Sequence, residues 1–337
     1  MSPMCQYSSE DGYANLWHLT HLGSRAVGGT GLIITEATAV SPEGRISPDD
    51  LGIWDDDHIP MLRQINDFIH SHGAVAGIQL AHAGRKASHQ SPWKGGKAIP
   101  ADQGGWQTVA PSAVPFLESE PVPRALTDEG IQKVTADFVA ATQRSLEAGF
   151  DLIEIHAAHG YLFHEFYSPL SNHRLDKYGG SFENRIRLLV EVTDAVRKVV
   201  PEDFPLFVRI SATDWTEGGW TIEDSVKLSA VLKKHGADLI DCSTGGNVPA
   251  AKIPVGPGYQ VEFAEQIRAG AGIKTGAVGM ITKASEAETI LATGQADLVF
   301  FGRELLRDPH FALHAAQELQ VDVPWPLQYE RAKPYRR

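Results

Sequence analysis

Two hydrophobic rhythms alternate along this chain. Short runs of nearly unbroken apolar and β-branched residues are followed by stretches in which apolar positions recur three and four residues apart. The runs are Gly31–Glu36, Ala74–Leu80, Asp151–His156, Pro205–Ser211, Ala237–Ser243, Ile273–Val278 and Ala296–Phe301. Runs with so little polar alternation predict parallel strands buried on both faces. The residues before Gln6 supply an eighth, very short strand. Between the runs lie helical stripes. Ile59, Leu62, Ile65 and Ile69 form one that ends at Gly73. Ile131, Val134, Phe138 and Ala141 form another, opened by Thr127 with Asp128 and Glu129 in its first turn, which suits an N-cap and the helix dipole. Ser181, Thr221 and Thr282 open further helices. Eight βα units predict a closed (β/α)8 TIM barrel. An open doubly wound sheet is the alternative, weakened by the lack of a G-x-G-x-x-G or G-x-x-x-x-G-K-[ST] loop.

One stretch interrupts the alternation. Gly84–Arg124 holds Pro92, Pro100, Pro111, Pro115, Pro121 and Pro123 and reads as a long capping excursion after the third strand, the kind of loop that serves as a lid or binding segment. No repeat, low-complexity tract or linker divides the chain, so residues 1–337 are expected to form a single barrel domain.

Composition narrows the partners. Hydrophobic residues make up 42% and charged residues 21%, an ordinary globular balance. A formal net charge of −12 turns away from nucleic acid or an anionic membrane as the main partner. Cys5 and Cys242 form no CxxC pair and are too few for an iron–sulfur cluster, which suits a reduced, cytoplasmic location. No apolar stretch approaches a membrane span, and residues 1–5 have neither the basic flank nor the apolar core of a signal peptide.

Reacting groups of a βα barrel sit at the C-terminal ends of its strands. Those ends carry Cys5, Ala37, Gln79, His82, His156, Arg209, Ser243, Gly279 and the pair Gly302-Arg303. Glycines at the last two ends let backbone amides approach a phosphate, and Arg303 adds charge; a tight turn beside a surface arginine is the plainer alternative. Arg209, within an apolar strand, needs either a carboxylate partner or an electron-rich ligand atom such as the N1–C2=O edge of a reduced flavin. Gln79 offers a donor and an acceptor to a planar heterocycle. His156 and His159, three apart, would either hold a metal with further ligands or donate two hydrogen bonds to one carbonyl or nitro oxygen, with Tyr161 nearby as a proton source.

These segments together resemble the Old Yellow Enzyme family, in its thermophilic-like branch that includes bacterial xenobiotic reductases. The similarity rests on Ser2-Pro3-Met4-Cys5-Gln6-Tyr7, Glu36-Ala37-Thr38-Ala39-Val40, Gln79 to Lys86, Glu154 to Leu162, Ser168 to Asn172, Tyr178 to Ser181, Ala277 to Ile281 and Phe301-Gly302-Arg303. The resemblance implies a non-covalent FMN held by Ser2, Pro3, Met4, Cys5, Ala37, Gln79, Arg209, Gly302 and Arg303, with Gly279 near the phosphate. It implies substrate contacts from Tyr7, His156, His159 and Tyr161. Cys5 would tune the flavin and touch substrate, rather than serve only as a small buried thiol. The implied activity is that of an ene-reductase. NADPH or NADH reduces FMN, and an α,β-unsaturated carbonyl, maleimide or nitro compound then takes the hydride in the same place. A metal-dependent hydrolase using the two histidines and a flavin-binding protein with little turnover are the rivals. Relatives that reduce dienoyl-CoA carry additional cysteines and a second domain, which this sequence does not show. In Trp325 to Arg331 the chain resembles a C-terminal segment that crosses into a partner's active site, so Arg331 is expected there in a homodimer or a tetramer of dimers. A solvated basic tail is the alternative, and Lys333, Arg336 and Arg337 suit it. Family members begin upstream of this motif with a β-hairpin, so a clipped first strand, a more exposed lower barrel layer and lower stability are expected.

Overall fold

The computed structural model describes residues 1–334, which leaves Arg336 and Arg337 outside the described residues. Its principal elements, in chain order, are α1 (Leu16–Val27), β1 (Leu32–Ala39), α2 (Ile59–Ser71), β2 (Val75–Ala81), β3 (Val109–Ala110), β4 (Arg124–Ala125), α3 (Asp128–Glu147), β5 (Leu152–Ala157), α4 (Leu162–Tyr167), α5 (Phe182–Arg197), β6 (Leu206–Ser211), α6 (Ile222–Lys234), β7 (Leu239–Ser243), α7 (Val261–Ala271), β8 (Lys274–Ala277), α8 (Ala284–Ala292), β9 (Leu298–Val299), α9 (Arg303–Arg307) and α10 (Phe311–Glu318).

Seven strands form one parallel sheet in the order β1-β2-β5-β6-β7-β8-β9. Residues 1 and 2 join its two edges. The Ile34 amide donates to the Met1 carbonyl (3.3 Å), and the Ser2 amide donates to the Phe301 carbonyl (3.0 Å). The curled sheet is the TIM barrel that the sequence predicts, with its eighth strand reduced to a two-residue bridge. Where the sequence predicts strands over Ile273–Val278 and Ala296–Phe301, the ladders cover only Lys274–Ala277 and Leu298–Val299. The chain at this seam has a full-length neighbour on one side only, so few backbone pairs extend the strand. Thr127, Ser181 and Thr221 cap α3, α5 and α6 through their hydroxyls. Thr282 does not cap α8: that position is Lys283, and the Thr282 amide donates instead to the Glu286 carboxylate at 3.1 Å.

Alternation along each strand builds the interior in layers. Ile33, Ile153, Val208 and Ile240 face the helices as part of the large outer core. Ile34, Leu152, Phe207, Leu239, Val278 and Phe300 make a separate apolar cluster. Two residues further along their strands come Glu154, Arg209 and Asp241, all buried. The apolar cluster thus forms a floor beneath a polar layer, and the C-terminal strand ends lie above both. A bulge between Thr35 and Ala37 shifts the register of β1, after which Ala37 stands opposite Gln79. Bulges re-aim side chains next to active sites; this one leaves Glu36 to accept the Gln6 amide at 2.7 Å and so fixes the segment that carries Cys5.

The excursion after β2 folds into short 3-10 turns and the β3–β4 pair. Arg85 donates to the Val114 carbonyl (3.2 Å), and Arg174 donates to the carbonyls of Pro111 (3.0 Å) and Leu126 (2.6 Å), which ties the cap to the barrel.

The barrel seam is testable. Ser2→Pro removes the amide that donates to Phe301 and should lower stability by roughly 1–3 kcal/mol, while Ser2→Ala, which keeps that amide, should cost less. Urea unfolding midpoints read the difference; equal midpoints for the two variants would show that this bond does not secure the seam.

Candidate active site

Residues from the first segment, β6, β7 and the two last strand ends enclose a cavity of about 350 Å³ at the C-terminal face of the barrel. Ser2, Pro3, Met4, His159, Arg209, Gly279, Gly302 and Arg303 all line it. Gln79 and Ala37 are buried beside this region, and Gln79 is engaged with Glu154, its Nε2 donating to Oε1 at 2.7 Å. Tyr259, Gln260, Met280 and Arg307 also line the cavity, and no periodicity or strand-end position in the sequence singles them out.

Arg209 has a carboxylate partner and also reaches the cavity. Its Nε lies 3.2 Å from Asp241 Oδ2, and its Nη1 donates to Ser2 Oγ at 3.2 Å, yet it also lines the cavity. Arg303 has no ion-pair partner among the described residues, whereas Arg307 pairs with Glu304. Gly279 has φ 131, where an L side chain is strained, and a Cβ there would come within 3.0 Å of Gln260 Nε2. Over Gly302 a Cβ would meet nothing nearer than Met4 Sδ at 3.6 Å, so the backbone there faces open space.

The two histidines follow β5. The Ala158 amide donates to His156 Nδ1 at 3.1 Å, which places the ring proton of the neutral imidazole on Nε2. His159 Nε2 sits 2.7 Å from Ser243 Oγ. The rings of His156 and His159 meet edge-on with centroids 5.1 Å apart, and His156 meets Tyr161 in the same way at 4.9 Å. Burial, with Arg209 as the next cause, holds both imidazoles well below the usual histidine range, so both are neutral donors at ordinary pH. Burial likewise pushes the Tyr161 phenol up and keeps it protonated.

His159 adopts a left-handed backbone, φ 60, that a non-glycine residue holds only when its surroundings fix it. Three groups do so. The His159 amide donates to Ser211 Oγ (2.9 Å), Lys86 Nζ donates to the His159 carbonyl (2.8 Å), and Gly246 packs so closely that a Cβ on it would lie 2.6 Å from the His159 Cα. Lys86, whose role the sequence does not reveal, also lies 5.4 Å from the Tyr161 ring centroid; burial lowers its ammonium to about 8. Cys5 and Tyr7 lie together near Ala37. Burial first, then Asp50 and Glu36, push the Cys5 thiol well up, so it is not a thiolate at neutral pH. Tyr7 packs edge-on against Trp93 of the excursion, centroids 5.6 Å apart. Arg331 is exposed and does not line the cavity of its own chain. Among the described residues no cluster of three or more His, Cys, Asp or Glu side chains is placed to hold a metal ion.

This geometry is that of a cofactor-binding barrel, and comparison with known proteins agrees. Residues 1–322 match the NADH:flavin oxidoreductase / NADH oxidase family. The chain is 54% identical over 333 residues, 98% of its length and 93% of the relative's, to an NADPH dehydrogenase of Geobacillus thermodenitrificans. It superposes on 2-naphthoyl-CoA reductase with a TM-score of 0.85 at 26% identity, covering 94% of this chain but only 49% of that longer one. Against morphinone reductase in complex with tetrahydroNAD the TM-score is 0.77 at 29% identity, covering 97% and 88% of the two chains. The chain therefore belongs to the NADH:flavin oxidoreductase / NADH oxidase family, the Old Yellow Enzymes. It is a flavin oxidoreductase with FMN as cofactor and a reduced nicotinamide as co-substrate.

The residues present suit that cofactor. The unpaired Arg303 and the backbone at Gly279 and Gly302 offer charge and amides for a phosphate, and Arg209 Nε, buried without an aligned hydrogen-bond acceptor, offers charge to a polar ring edge. Arg303→Ala should weaken FMN retention at least tenfold, read as the dissociation constant in a flavin fluorescence titration; an unchanged constant would remove Arg303 from the phosphate site.

Proposed function

We propose that this chain is an NADPH- or NADH-dependent ene-reductase, in which nicotinamide and an activated alkene use one site in turn. When bound, FMN accepts hydride from the nicotinamide and returns it to an alkene carbon. The protein's part is to bind, polarise and protonate. Ser2, Pro3, Met4, Cys5, Ala37, Gln79, Arg209, Gly279, Gly302 and Arg303 hold the cofactor. Tyr7, His156 and His159 bound the substrate space, in which α,β-unsaturated carbonyls, maleimides and nitro compounds are the candidates. The Cys5 thiol tunes the flavin and contacts substrate.

The observation that carries this reading is the state of His156. Its Nδ1 is occupied by the Ala158 amide, so Nε2–H is the group left for a ligand. His159 Nε2 is held by Ser243, which orients the ring, and a substrate oxygen would take the place of that hydroxyl. Two neutral donors on one oxygen withdraw charge from the alkene and stabilise the oxyanion that forms as its β-carbon accepts hydride. Tyr161, beside His156 and still protonated, gives its proton to the α-carbon. The relatives' NADPH dehydrogenase name supports NADPH as donor.

Arg331 reaches a partner's substrate space in this reading, within a homodimer or a tetramer of dimers. Its exposure on its own chain leaves the guanidinium available for that contact. A fully active, strictly monomeric protein would rule this out. The whole chain acts as one FMN-binding unit, and the free thiols of Cys5 and Cys242 suit the cytoplasm.

The decisive variant is His156→Ala/His159→Ala. Each oxyanion donor is worth about 3 kcal/mol, so reoxidation of the reduced protein by cyclohexenone should slow by 10²-fold or more. Phenol, which mimics the enolate, should also bind more weakly. Reoxidation at the native rate, followed by stopped-flow absorbance, would contradict the oxygen clamp.

A further inference from the structure

Glu154 and Asp241 lie inside the barrel and take no part in the chemistry above. Both are buried in the polar layer, on strands either side of β6 and its Arg209. Arg209 stands directly opposite Asp241 in the ladder, and Gln79 directly opposite Glu154. Glu154 Oε1 accepts from Gln79. Glu154 Oε2 and both Asp241 oxygens have no hydrogen-bond partner, although all three are buried.

The elements around the pair bring few other charges. β2 contributes the uncharged Gln79, and β8 presents Gly276 opposite Asp241. The Met1 nitrogen donates to the Leu32 carbonyl; as an amine it is lowered by burial to about 5, while Asp241 and Glu154 raise it. His156 and His159 are neutral. Arg209 is thus one cation facing two carboxyl groups. A buried layer of this kind does not hold two negative charges against one positive. Burial raises both carboxyls against the pull of Arg209, and at Glu154 the neighbouring Asp241 adds to the rise, to about 8. One proton therefore stays with the pair. A proton on Glu154 Oε2 would leave Asp241 as the one anion beside Arg209.

The geometry points to Glu154 and Asp241 as positioning residues for the cofactor, which share one proton while the ring is oxidised and take a second from solvent when negative charge arrives on the reduced ring. The nicotinamide gives up two electrons and one hydrogen as hydride. The second proton comes from water and forms an O–H bond on Asp241, and no other bond in either carboxyl changes. Asp241 then no longer competes for Arg209, whose whole charge serves the ring. This inference rests on the family's FMN and is independent of which compound reoxidises it.

Two readouts test it on the FMN-loaded protein. The first is anaerobic reduction with one equivalent of NADPH at pH 7 in weak buffer with an indicator dye. Hydride transfer alone consumes no proton, so an uptake of about one proton per flavin, with the absorbance spectrum of the charged reduced ring, is expected. Glu154→Gln/Asp241→Asn, which leaves no carboxyl in the layer, should abolish it. No uptake in the native protein overturns the proposal without reliance on any variant. Uptake with the spectrum of the neutral reduced ring also overturns it, because the proton is then on the ring. The second readout is the midpoint potential against pH by dye-linked titration, which needs no nicotinamide. Its slope should be twice as steep in the native protein as in Glu154→Gln/Asp241→Asn, because two protons rather than one accompany two electrons. Equal slopes overturn the proposal. A failure of nicotinamide turnover would leave this titration readable and would count only against the proposed activity.

Discussion

A guanidinium inside a β-barrel must be neutralised, or the barrel cannot close around it. Arg209 meets that constraint from three directions: Asp241 lies 3.2 Å away on the adjoining strand, Ser2 Oγ accepts a hydrogen bond, and the cavity above leaves the group reachable by a ligand. The same side chain thus links the seam of the barrel, its polar interior and its binding site. A lysine would not replace it, because an ammonium lacks the planar fork that reaches Asp241 from Nε and Ser2 from Nη1.

The layering follows from strand alternation. Leu152, Phe207 and Leu239 make an apolar floor, and two residues on, the same strands present Glu154, Arg209 and Asp241. Two residues further, β5 presents His156, while β6 and β7 end on Ser211 and Ser243, the hydroxyls that hold the His159 amide and ring. An apolar floor thus carries a charged layer and above it a layer of histidine and serine. The packed base leads to a site suited to an anionic, planar cofactor, with the histidines buried away from bulk water. Their depressed proton affinity results from this burial, and it lets neutral imidazoles act as hydrogen-bond donors over a wide pH range.

Much of this was legible in the sequence because barrel strands are simple objects. Near-continuous apolar runs locate the sheet, and their ends carry Arg209, His156, Gly279 and Gly302-Arg303. Other features were illegible for physical reasons. The partner of Arg209 lies on the next strand, so Asp241 reads locally as one polar residue in an apolar run. The left-handed His159 depends on Lys86, Ser211 and Gly246, which come from three other parts of the chain. The bulge at Glu36 does not alter composition. The last strands are shorter than their apolar runs because pairing, and not hydrophobicity, sets where a ladder stops. For Arg331 the single chain shows exposure only, and the contact proposed for it needs a second copy.

In the proposed cycle one site takes electrons from a nicotinamide and gives them to an activated alkene under the His156–His159 pair. An anaerobic double-mixing experiment tests this: the FMN-loaded protein is reduced with one equivalent of NADPH, and then mixed with cyclohexenone or N-ethylmaleimide while flavin absorbance is followed. Bleaching is expected in the first mix and full recovery in the second, with the saturated product formed in equal amount to the NADPH consumed. Flavin that bleaches and then recovers only on admission of oxygen, with no saturated product, would contradict it.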